Sequence, residues 1–206
     1  MTNASASANL EIVSDAEDET TYDKGKELEH QFADYMKEKL GWENVRVGVH
    51  LVGSVHRKGA SVDIVAKRLS EKGKTLKTLG IVYLALCLIL FVVGIIADGM
   101  EPLIYLGVIL EVLGGLALIL GIKKSTEHAL VECKNLKSKV SAGHIDKTLR
   151  EINDYKASGD KEYNFTRHYF VSVNGYVETT LKYAQEKGIV CYVKKGDTFE
   201  TEKYWK

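Results

Sequence analysis

His128-Ala129-Leu130-Val131-Glu132-Cys133-Lys134-Asn135-Leu136 is a short apolar run that carries an acid and a base two positions apart. Alternate residues of a β-strand point to the same face. Leu130, Glu132 and Lys134 therefore share one side, and Ala129, Val131 and Cys133 share the other. One face is suited to burial, while the other sets a carboxylate beside an ammonium at the end of the strand. Such a pair means little until the rest of the chain supplies what would stand next to it.

Upstream, Ser61-Val62-Asp63-Ile64-Val65-Ala66 reads as a second strand with one acid among apolar residues. Before it, Val45, Val47, Val49 and Leu51 alternate with polar residues, which predicts a half-buried strand with those four on one face. Further back, Leu28, Phe32, Tyr35, Met36 and Leu40 recur at helical spacing up to Gly41, with Glu29 at the border of the apolar stripe. Downstream, Ile145, Leu149 and Ile152 predict a helix from about Ser141, its capping residue, to Lys156. A strand at Arg167 to Val173, a helix from Val177 to Lys187 and a last strand at Ile189 to Val193 follow. The alternation of elements predicts an α/β domain built on a mixed sheet.

Two spans interrupt this pattern. Leu79 to Ala97 is free of charge, and Leu103 to Ile122 carries only Glu111. Each reaches the roughly 20 residues needed to cross a bilayer core. They predict a transmembrane helical hairpin over residues 79–122, which divides a soluble domain into residues 23–78 and 123–206 behind an acidic, disordered tail at 1–22. Lys72, Lys74, Lys77, Lys123 and Lys124 flank the spans, whereas the turn Asp98 to Pro102 has no base. Basic residues stay on the cytoplasmic side, so both soluble segments are expected there. Glu111 is costly inside a membrane, and with Gly107, Gly114 and Gly115 nearby it predicts a hydrogen-bonded helix contact.

The 206 residues carry 28 basic and 28 acidic side chains, which excludes a globally basic nucleic-acid binder. Cys87, Cys133 and Cys191 are odd in number and lack metal-ligand spacing, so neither a disulfide framework nor a zinc site is expected. The first residues have no basic and apolar regions of the kind that make a secretory signal.

Asp63 late in one strand, Glu132-Cys133-Lys134 in the next, then a helix and another strand resemble the PD-(D/E)xK nuclease superfamily. With Glu29 on the first helix and the closing strand Tyr169-Phe170-Val171-Ser172-Val173, the chain is most similar to the Mrr-like restriction endonucleases. The resemblance covers about residues 23–67 and 127–195 and leaves out the hairpin. The lead into Asp63, His56-Arg57-Lys58-Gly59-Ala60-Ser61-Val62, departs from the glycine- and acid-rich lead of that family. Asp63 and Glu132 are 69 positions apart, of which the hairpin takes 44; the rest, about 25, is an ordinary connection.

The resemblance implies a restriction-endonuclease-like core and a membrane-anchored endonuclease acting on DNA. Asp63, Glu132, Lys134 and Glu29 would be catalytic, and Mg²⁺ or Mn²⁺ would be held by Asp63, Glu132 and the backbone carbonyl of Cys133. A hard divalent cation takes carboxylate and carbonyl oxygens and offsets charge on the phosphoryl group. Lys134 would then orient or help deprotonate the attacking water. From Glu132 to Arg150 five bases face two acids, so Lys137, Lys139 and Lys147, together with Arg57 and Lys58, are candidate DNA contacts. The expected partners are DNA, the lipid bilayer and a second copy in a homodimer. An idle nuclease-like domain serving as a membrane-tethered DNA-binding or signalling adaptor is the alternative.

Overall fold

The computed structural model describes residues 22–54, 60–96, 101–159 and 162–204. The chain forms two compact units, one of Met1–Lys67 with His128–Lys206 and one of Arg68–Glu127. In the first unit, helix α1 (22–38) precedes strands β1 (Asn44–Leu51) and β2 (Ala60–Leu69). After the second unit come β3 (Thr126–Lys134), α4 (Ala142–Ala157), β4 (Phe165–Ser172), α5 (Glu178–Glu186), β5 (Ile189–Lys195) and β6 (Thr198–Glu202). The six strands form one sheet in sequence order. β1 and β2 are antiparallel, β3, β4 and β5 run parallel, and β6 returns antiparallel to β5. The parallel pairs need crossover connections, which α4 and α5 provide. This is an α/β fold with a mixed sheet between helices.

Gly41, at φ +67°, ends α1 and turns the chain so that the Trp42 N–H reaches the Met36 carbonyl at 3.0 Å. Leu28, Phe32 and Met36 then pack with Ala129, Val131 and Val171 on one sheet face. Phe32 stands against the rings of Tyr192 and Phe199, at centroid distances of 5.2 and 4.9 Å. On the other face Ile152 and Tyr155 of α4 cover Leu130 and Val65, while Ile145, Leu181 and Ala184 cover Phe170 and Cys191. Each fully buried residue of this kind contributes about 1.5–3 kcal/mol of transfer free energy.

Three features differ from expectation. Val45 and Val47 pack on the α1 side, but Val49 and Leu51 pack on the α4 side. The alternation breaks at Gly48, whose φ of +66° is a left-handed conformation inside a strand. Beyond Ile145, Leu149 and Ile152, the stripe expected of the helix ending at Lys156, Tyr155 is fully buried between the charged Asp154 and Lys156. Asp154 also holds the end of β1: Ser54 Oγ donates to Asp154 Oδ1 at 2.7 Å, and the Ser54 N–H donates to the Asp154 carbonyl at 3.3 Å. Finally, β6 is an additional strand, joined to β5 through Gly196 at φ +59°.

The second unit contains α2 (Glu71–Ile96) and α3 (Glu101–Lys124) packed against one another. Glycines set the close approach. A Cβ at Gly80 would fall 2.3 Å from Leu118, one at Gly114 2.3 Å from the Tyr83 ring, and one at Gly121 2.4 Å from Leu76. These pairings run in opposite directions along the two helices, so the pair is antiparallel. The Tyr83 hydroxyl donates to the Leu110 carbonyl at 3.0 Å. At the base, Arg68 Nε meets Glu127 Oε2 at 3.1 Å and the Ser70 N–H donates to the Ser125 carbonyl at 2.9 Å. α2 is long and apolar enough to cross a bilayer: its 26 residues span about 39 Å, and Leu79, Ile81, Leu86, Leu90 and Ile95 are exposed.

Candidate active site

β2 and β3 are neighbours in the sheet, which sets Asp63 beside the segment Glu132-Cys133-Lys134. The two strands are tied there by a side chain: the Cys133 N–H donates to Asp63 Oδ2 at 2.6 Å. An amide that would ordinarily serve the ladder instead fixes a carboxylate. The Cys133 side chain lies against the cluster beneath α1. Glu132, only 9% exposed, stands with Leu130 on the α4 side, where the Lys134 ammonium is hydrogen-bonded to Glu132 Oε1. Parallel pairing with β4 sets Glu132 opposite Phe170 and Lys134 opposite Ser172, which anchors this end of β3.

Electrostatics follow from burial. Desolvation, and then the nearby Asp63 charge, push the Glu132 carboxyl up to about 7; the Lys134 ammonium partly offsets this. Burial also raises Asp63, against the lowering effect of the Cys133 amide, Lys134 and Lys26. For Lys134, burial disfavours the charge, but Glu132 and Asp63 outweigh it and hold the ammonium above its ordinary value. Burial, with Asp63, Glu29 and Glu132 adding to it, keeps the Cys133 thiol neutral. The two buried carboxylates thus share the influence of the Lys134 ammonium, and the Asp63 charge raises Glu132.

Glu29 is 7% exposed on α1 and forms an ion pair with Lys26, Nζ to Oε2 at 2.8 Å. Its charge is felt at Cys133, and that of Lys26 at Asp63. The pair therefore borders the site from the α1 side. Glu151 of α4 borders it from the other: it lines the same hollow as Glu132 and Thr148 and adds to the raised proton affinity of Glu132. Neither Lys26 nor Glu151 stands out in the sequence. Their only signal is that each lies beside a helix's buried stripe, as Glu29 does.

Lys137 and Lys139 are exposed on the segment after β3, and Lys147 is exposed on α4 with its Nζ 3.9 Å from Glu151. Arg57 and Lys58 lie outside the described residues, as does the segment 1–21.

Among the described residues, no group of three or more His, Cys, Asp or Glu side chains is arranged to hold a metal ion. Asp63 and Glu132 nevertheless fit Mg²⁺, which usually takes one or two carboxylates and fills its octahedron with water and substrate phosphate oxygens. The repulsion from Asp63 that helps raise the proton affinity of Glu132 is what such an ion would relieve.

No family model and no curated protein matches the chain. A similar solved structure is the crystal structure of the protein of unknown function AF1548, at a TM-score of 0.44 and 16% identity over 84% of this chain. The chain spans 58% of that structure's length.

Proposed function

We propose that the chain is a membrane-anchored, metal-dependent endonuclease of the Mrr-like PD-(D/E)xK type, hydrolysing phosphodiester bonds in DNA in a restriction or defence role. The observation that carries this reading is the meeting of Asp63 and Glu132 on neighbouring strands, with Lys134 on the Glu132 carboxylate. When bound, a divalent cation supplies charge neutralisation at the phosphoryl oxygens and an acidified water. Asp63 and Glu132 would hold it, with the Cys133 carbonyl as a further ligand. With Glu132 holding the cation, the Lys134 ammonium would be free to orient the attacking water and to stabilise charge as it develops. Glu29, held by Lys26, completes the acidic side of the site. Lys137, Lys139 and Lys147 are exposed and available to phosphates.

The apolar surface of α2 and the antiparallel partner α3 support a membrane hairpin. The lysines at its base support a cytoplasmic location for both flanking segments. Cleavage would then be confined to DNA near the membrane, and a dimer would present two sites to the two strands.

A second reading has its own support: Lys134 already satisfies Glu132 and Lys26 already satisfies Glu29, as in an idle nuclease-like adaptor. Incubation of the purified full chain with plasmid DNA and Mg²⁺ or Mn²⁺ separates the two. Nicking that is lost in Asp63→Asn and Lys134→Ala is the expected result. DNA binding without cleavage by any of the three proteins would establish the adaptor instead.

A further inference from the structure

Gly48 is glycine in the middle of an edge strand, where glycine weakens packing and costs conformational entropy. Its φ of +66° explains the choice of residue. Space does not, since a Cβ built there would meet nothing within 4 Å. The pairs Val47↔Ile64 and Val49↔Val62 bracket it, so Gly48 stands opposite Asp63 in the β1–β2 register. Both strands change sides at this step. Val47 and Ile64 pack beneath α1, whereas Val49 and Val62 pack with Leu130 and Tyr155 on the α4 side. A regular strand keeps residues two apart on one face. Each strand is therefore turned over at one position, Gly48 in β1 and Asp63 in β2, and the two positions face one another.

The consequence for Asp63 is visible in its hydrogen bond. Its side chain reaches across to the neighbouring strand, where it accepts the Cys133 N–H of β3. Beyond the turnover, Leu51, Gly53 and Val62 come round to line the hollow that Glu132 borders. We infer that Gly48 is a positioning residue: its left-handed backbone turns β1 and β2 over together and so aims the Asp63 carboxylate into the β2–β3 seam. This rests on the nuclease reading for its catalytic meaning, but its structural content can be measured apart from activity.

The test compares Gly48→Asn with Gly48→Val in the full chain. A Cβ at position 48 meets nothing within 4 Å in either variant; Asn tolerates the left-handed region, whereas a β-branched residue there is a genuine outlier. The chain has three cysteines, so ¹⁵N-cysteine labelling yields three amide signals, of which Cys133 reports the bond to Asp63 and Cys191 reports the fold of the distant strands. In Gly48→Val the Cys133 signal should move toward its position in Asp63→Asn while that of Cys191 stays, and Mn²⁺-dependent nicking should fall about a hundredfold, the scale of a ~1 Å misplacement. Gly48→Asn should keep both. A Cys133 signal unchanged in Gly48→Val, or equal damage from Asn and Val, would overturn the inference. If Cys191 also collapses in Gly48→Val, retention of the Cys133 signal by Gly48→Asn still supports the inference and its loss refutes it. A wild type that never nicks DNA would count against the nuclease reading alone, since the amide signals decide the role of Gly48 by themselves.

Discussion

Glu132 should make the protein less stable as pH rises, and removing its charge should cancel that trend. Its carboxyl is shifted from an ordinary 4.5 to about 7 in the folded state, chiefly by burial and the Asp63 charge. Between those values the folded chain keeps a proton that the unfolded chain has lost, so the group's contribution falls with rising pH. That contribution is fully present below about pH 4.5 and gone above about pH 7, and a shift of this size corresponds to about 3 kcal/mol. His128 and His168, both pushed down mainly by burial, act in the opposite sense over an overlapping window. The informative quantity is therefore the difference between wild type and Glu132→Gln, in which the histidine contributions cancel. Guanidinium unfolding at pH 5 and pH 8 can be followed through Trp42, which is buried against Tyr169 in the sheet unit. Relative to wild type, Glu132→Gln should gain about 2.5 kcal/mol on going from pH 5 to pH 8, since part of the contribution is already lost at pH 5. Addition of Mg²⁺ at pH 8 should stabilise the wild type and leave the variant nearly unchanged. Equal pH slopes in the two proteins would refute the electrostatic reasoning.

Other outcomes follow from close approaches in the structure. Gly53→Ala places a Cβ 2.0 Å from Asp154 Oδ2. It should displace the Ser54 hydrogen bond at a cost of about 1 kcal/mol, measurable as a lower unfolding midpoint; an unchanged midpoint would show that the Asp154 contact is dispensable. Gly114→Val should force α2 and α3 apart at Tyr83, widening the distance between spin labels at the exposed Val82 and Leu116, whereas an unchanged distance would contradict the packing. A reporter fused at Gly99 should be external to the cytoplasmic membrane and one at Lys206 internal; the same side for both would contradict a hairpin that spans it.

Much of the fold was legible because burial imposes period on sequence. Leu28, Phe32 and Met36 mark one helical stripe, and the apolar run of Leu130 and Val131 marks a central strand. Asp63, Glu132 and Lys134 were legible for the converse reason: charged residues inside apolar strands are rare enough to be noticed. Gly48 was not, because Val45, Val47, Val49 and Leu51 alternate without interruption and one backbone angle sends the second pair to the other face. Lys26 and Glu151 join the site only through tertiary packing, and spacing within one helix says nothing of which strand that helix will cover. β6 and Tyr155 carried signals that were readable: Gly196-Asp197 is a hairpin turn, and Tyr155 follows Ile145, Thr148 and Ile152 at helical spacing. The flanking charges Asp154 and Lys156 obscured the second of these.

The claim on which the rest depends is that Asp63 and Glu132 share one cation. Crystals of the protein soaked in Mn²⁺ and measured at the manganese absorption edge locate the ion directly. One anomalous peak within coordination distance of both carboxylates, with the Lys134 ammonium moved off Glu132, is the predicted result. Full occupancy elsewhere, with Lys134 still bonded to Glu132, would contradict it.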